Sequence, residues 1–151
     1  MSEPSPLVVL GGNFAGMFVF GLILSHFFGR KSALTILANI FGTIFIVFGV
    51  NAILRPQNAL SFFQWSYPVD PTSRELLDRV MIIYGARDIF MGIALYSAAI
   101  FGSRKALGSI LIAASATAGV DGLVCKMSEG GEWQHWGYAS VLTVVGALLM
   151  R

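Results

Sequence analysis

The chain has 151 residues, 56% of them hydrophobic and only 12% charged, with a formal net charge of +2. Soluble domains carry about 25% charged residues, and a mean hydropathy of +0.74 leaves little polar surface for a soluble fold. The length suits a single domain over residues 1–151. The small, scattered charge excludes a nucleic-acid surface, and the single Cys125 excludes an internal disulfide or a multi-cysteine metal site.

In chain order, residues 1–6 are too short for a removable signal peptide and lack its basic region, so the first apolar segment is expected to stay in the mature protein. Leu7 to Phe28 is an apolar run of 22 residues, enough to span a bilayer. It contains Gly12-x-x-x-Gly16, a spacing that lets helices approach closely. The same stretch looks superficially like a dinucleotide fingerprint, but Asn13 stands where the middle glycine belongs and no strand–helix–strand unit follows. A basic turn, Gly29-Arg30-Lys31-Ser32, leads into a second run, Ala33 to Leu54. Arg55 to Ser73 is the one long connection. Its three prolines stop helices, and Phe62, Phe63, Trp65 and Tyr67 suit an interfacial belt or a lid over the bundle. Thr72-Ser-Arg-Glu75 fits a capping box opening a third helix over 74–101. Gly102-Ser-Arg104-Lys105 is a second basic turn. A Gly/Ala/Ser-rich fourth span covers 106–127, and a shorter fifth covers 133–150. The expected fold is all-α: an integral membrane bundle of five transmembrane helices.

Five spans put the termini on opposite sides. Arg30, Lys31, Arg104, Lys105 and Arg151 share one side with no acidic residue, so the positive-inside rule places that side, with the C-terminus, in the cytosol.

The third span carries Arg87 and Asp88 side by side. A charge in hydrocarbon costs at least a few kcal/mol and so requires a partner or a function. At 1.5 Å per residue Asp88 lies about 12 Å below one membrane surface, and Asp121 and Asn13 about 9 Å below it. Asn51 lies about 6 Å and His135 about 5 Å below that same surface. Tyr84, Arg87 and Asp88 share a helix face by i, i+3 and i+4 spacing. Polar groups from five segments thus converge in one half of the bilayer. One arginine between two carboxylates can keep one charged and the other protonated, an acid and a base in one site. Asp88 and Asp121 are the candidate acid and base, with Arg87 orienting them. His135, Tyr84, Asn51, Asn13, Trp136 and Trp65 are the candidate substrate-binding residues. No metal and no cofactor is implied. The alternative is a buried ion pair that fixes helix register without chemistry. Cys125 reads as inert packing.

Tyr84-Gly-Ala-Arg87-Asp88 with Gly92, Arg104-Lys-Ala-Leu-Gly108, Gly119-Val-Asp121-Gly122 and His135-Trp136-Gly137 resemble a fungal and bacterial family of small integral membrane proteins catalogued as a domain of unknown function. The Arg55-Pro56 end of the second helix fits the same pattern. The similarity covers roughly residues 40 to 150, and a four-helix family core would make the Leu7–Phe28 span an addition. The resemblance implies a place in natural-product biosynthesis and a lipophilic substrate. The resulting expectation is a cofactor-free membrane enzyme that opens an epoxide, cyclises or isomerises such a molecule. A carrier, a scaffold or a subunit of a membrane complex is the alternative. Expected partners are the substrate and the lipid bilayer, with a homo-oligomer or a pathway enzyme beside them and no nucleic acid. If the chain is fungal, the expected location is the endoplasmic reticulum or another endomembrane.

Overall fold

The computed structural model describes residues 5–128 and 130–151. Glu3 and Glu129, two of the chain's 8 acidic residues, lie outside them. The described residues form six helices and no strand: α1 (Pro6–Phe28), α2 (Arg30–Leu54), α3 (Pro56–Ser61), α4 (Pro71–Phe101), α5 (Arg104–Met127) and α6 (Glu132–Leu149).

α1, α2, α4 and α5 are long and apolar enough to cross a membrane. The expected fifth span, α6, has 18 residues and is not among the helices apolar enough to qualify. Its opening Glu132-Trp-Gln-His135 dilutes the apolar run that follows. Large apolar side chains such as Phe18, Phe28, Ile83, Phe90 and Phe101 are exposed. Such a surface is natural where lipid, not water, surrounds the helices.

Two antiparallel hairpins make the body: α2 packs on α4, and α5 on α6. The first is brought together by glycines seven residues apart, which return to the same face after two turns. A Cβ on Gly85 would meet the Gly49 carbonyl oxygen at 2.5 Å, and one on Gly92 would meet that of Gly42 at 2.5 Å. Small residues let backbones touch in this way, giving dispersion contact where lipid supplies no hydrophobic drive. The Thr43 and Tyr96 hydroxyls share a hydrogen bond of 2.6 Å between α2 and α4. In the second hairpin Ser115 donates to the Ala139 carbonyl at 2.6 Å, and Trp136 Nε1 donates to that of Gly119 at 3.0 Å.

The core runs through both hairpins, with Leu95, Leu107, Leu111 and Leu142 fully buried. α1 lies against α2 and α6 without burying any residue of its own.

The connection between α2 and α4 is more ordered than a loop. Pro56, preset for a first helical turn, opens the short α3. Ala59, Leu60 and Phe63 are buried, and Leu60 and Ala59 pack with Ala52 and Met81. The segment therefore folds down onto one end of the bundle. The capping box expected at Thr72–Glu75 does not form. Asp70 is the N-cap, accepting from the Ser73 backbone N–H at 2.8 Å and its hydroxyl at 2.9 Å, and Pro71 takes the first helical position. Glu75 pairs with Arg79 instead. The N-cap falls two residues before Thr72, because an aspartate preceding a proline outcompetes a threonine after it.

Candidate functional site

Asp88 and Asp121 are almost wholly buried, and Arg87 joins them. Arg87 donates from Nη1 and Nη2 to the two oxygens of Asp121, each at 2.9 Å. It also donates from Nε and Nη2 to Oδ1 of Asp88, at 3.1 and 3.0 Å. The planar guanidinium fork matches a carboxylate in this bidentate way, the strongest geometry for such a pair. Tyr84, one turn before Asp88 on α4, places its ring under the guanidinium with Cζ 4.3 Å from the centroid. Arg87 is thus held on one side by an aromatic face and on the other by two carboxylates.

Tyr84 also lines a cavity of about 160 Å³. It is lined by Phe48, Ala59, Phe62, Tyr84, Gln134, His135 and Tyr138, so α2, α3, α4 and α6 all contribute. His135 is 5% exposed. Its ring stacks on Phe63 with centroids 4.9 Å apart, and Nδ1 lies 3.4 Å from the Tyr138 hydroxyl. Nε2 is buried near the Phe62 backbone without a hydrogen bond of full geometry.

The candidates from the sequence therefore fall into three groups. Arg87, Asp88 and Asp121 form one cluster. Tyr84 and His135 line the cavity, and the Tyr84 ring also lies against Arg87 of the cluster. The others stand apart. Asn13 is exposed on α1 and faces Gly137. The Asn51 Nδ2 is buried without a partner and does not reach the cavity lining. Trp136 packs on Gly122 and under Lys126, whose Nζ is 5.6 Å from its ring. Trp65 stacks on Phe63 with its indole nitrogen unpaired. Gly85 and Gly122 open no space beside the cluster, since each is taken up by a close contact, with α2 and with Trp136. Of the segment between α2 and α4, Ala59 and Phe62 line the cavity, and Trp65 and Tyr67 do not. Tyr67 instead donates to Asp78 at 2.6 Å, and that bond raises its phenol above the usual range.

Sequence reasoning missed Tyr138 and the α3 contribution. Tyr138 sits three residues after His135, one turn along α6, so helical spacing from the histidine could have found it. Among the described residues no three His, Cys, Asp or Glu side chains gather into a set that could hold a metal ion.

No curated protein and no solved structure matches the chain. Residues 42–149 match the family model described as a domain of unknown function, DUF4267. That stretch takes in most of α2 and all of α3, α4 and α5, ends with α6, and holds every residue of the cavity and of the Arg87 cluster. It leaves out α1, in keeping with a family core to which the first helix is added. The chain belongs to the DUF4267 family.

Proposed function

We propose that this protein is a membrane enzyme of five crossings that holds a lipophilic small molecule in the cavity and acts on it by proton transfer. α6 is the fifth crossing, about 27 Å long at helical rise, and the end bearing Arg30 and Arg104 faces the cytosol. The observation that carries the reading is His135. It is a buried imidazole on the wall of a largely aromatic cavity, with one ring nitrogen free of a full hydrogen bond. Histidine is the side chain best suited to give and take a proton near neutral pH. The Tyr84 and Tyr138 hydroxyls are positioned to polarise or orient an oxygen of the ligand. Asp88, Asp121 and Arg87 set the charge around the site.

About 160 Å³ is below the range of whole drug-sized pockets, roughly 300–1,000 Å³. It resembles the roughly 150 Å³ apolar cavity that admits benzene. The ligand therefore places one ring-sized portion inside and leaves the rest outside. Isomerisation, cyclisation or epoxide opening of a natural-product-like molecule fits that demand, and endomembranes supply such molecules.

A second reading is favoured by the closed geometry of the cluster. Arg87 spends four hydrogen bonds on two carboxylates, as a register clamp would. The protein is then a carrier or scaffold without chemistry. Retention of ligand on the purified protein tests the common part of both catalytic and carrier readings. The protein from its native membranes should release a lipophilic small molecule on denaturation. Ala59→Leu, which fills the cavity from α3, should release none while folding normally. Equal release from both proteins would rule the cavity out as the binding site.

A further inference from the structure

A second, larger cavity lies at the other end of the bundle and belongs to none of the groups above. It is a cleft of about 370 Å³ between α1, α2 and α6, walled by residues such as Phe18 and Leu22, Leu34 and Leu37, and Val144 and Leu148. Most of its α1 and α2 lining lies outside residues 42–149. Because α1 buries no residue, the cleft opens toward the surrounding lipid.

The walls are apolar, but the end is not. Ser25 and Arg30 close the cleft where α1 turns into α2. Next to that turn, Lys31 and Arg104 line a shallow depression with Ser32 and Thr35. The Arg104 Nε is buried without a hydrogen bond. Lys105 follows Arg104. Arg151 follows α6 at the same end, where Gly108 of α5 meets Gly146 and Met150. The described acidic residues Asp70, Glu75, Asp78 and Glu132 all sit toward the opposite end, at the starts of α4 and α6. An apolar slot of acyl-chain character thus ends in a cluster of cations that no described acidic side chain pairs with.

We propose that this cleft is a specific site for an anionic glycerophospholipid. One acyl chain lies along α1 and α6, and the headgroup phosphate sits on Arg30, with Lys31 and Arg104 beside it. Basic pockets between transmembrane helices take anionic headgroups by the same complementarity. Arginine forks are well matched to phosphate. A bound lipid would also supply α1 with the contacts its own side chains lack.

The test uses the full chain in a nonionic detergent, followed by thermal unfolding. Phosphatidylglycerol should raise Tm saturably. Phosphatidylcholine with the same acyl chains should do so much less, and inorganic phosphate not at all. Arg30→Gln should weaken the phosphatidylglycerol response about fivefold, the effect of roughly one basic side chain at a charged membrane surface. Gly21 lines the cleft, and the atom nearest an added Cβ is Leu37 Cδ1 at 3.8 Å. Gly21→Phe should fill the slot and abolish the response while keeping the lipid-free Tm, and Val144→Phe serves if that variant does not fold. Equal responses to the two lipids, a response to phosphate alone, or an undiminished response in both the arginine and the slot-filling variants would overturn the proposal.

Discussion

Arg87 on α4 forks both of its terminal nitrogens onto Asp121 of α5, at 2.9 Å each. The two helices belong to different hairpins, so this pair is a polar tie between two apolar halves. Removing Asp121 breaks the bidentate pair and leaves Arg87 with Asp88 as its one remaining counter-charge in the described cluster. Asp121→Asn should therefore destabilise the protein by about 3 kcal/mol, the lower end for a broken buried pair, since a third of the Arg87 side chain remains exposed. Arg79→Gln breaks an exposed pair with Glu75 and should cost about 0.5 kcal/mol or less. Reversible unfolding in detergent compares the two.

The α2–α4 approach gives a second expectation. Gly85→Ala drives a Cβ to 2.5 Å from the Gly49 carbonyl oxygen and 2.7 Å from Ile53 Cγ1. Backbone cannot yield as a side chain can, so the cost should be about 1–3 kcal/mol. Gly119→Ala meets nothing within 4 Å and should be neutral or slightly stabilising through helix propensity. Tm of the two variants in the same detergent decides.

The α4 cap makes a pH prediction. The Ser73 backbone N–H holds the Asp70 carboxyl below the usual aspartate range. A lowered folded-state pKa means the cap stabilises fully above the unfolded value near 4. That contribution fades as pH falls through the lower folded value. Wild-type Tm should fall more steeply than that of Asp70→Asn as acid is added below about pH 4. Parallel acid profiles would show that the carboxyl carries no such linkage.

The proposed topology, in which α4 crosses the membrane, predicts that Ser66 and Ser103, both exposed, lie on opposite faces. Cysteines placed there should be labelled by an impermeant reagent from different sides, with buried Cys125 unreactive. Labelling of both from one side would contradict the topology.

Much of this fold is legible in the sequence because apolar length is a strong signal in a membrane protein. The four long helices follow from runs such as Ala33 to Leu54, and the basic turns mark one end. α6 is harder to read, because its first turn carries Glu132, Gln134 and His135, which dilute the apolar run that follows. α3 is invisible to periodicity: six residues make too short a window, and its helix is fixed by packing of Ala59 and Leu60. The meeting of Arg87, Asp88 and Asp121 was legible, since buried charges need partners. Rise per residue gives depth but not rotation. That is why Asn13 and Trp136, placed at suitable depths, turn to other contacts, and why the carboxylates do not line the cavity.

The central claim is that His135 transfers a proton to or from a lipophilic ligand. His135→Phe keeps the stacked ring on Phe63 and removes both ring nitrogens. Host cells lacking the gene should be supplied with wild type or with this variant at equal membrane levels and equal Tm, and their lipophilic metabolites compared by mass spectrometry. The account predicts a product that wild type restores and His135→Phe does not, with its precursor accumulating. Restoration of that product by His135→Phe, or no metabolite changed by wild type at all, would contradict it.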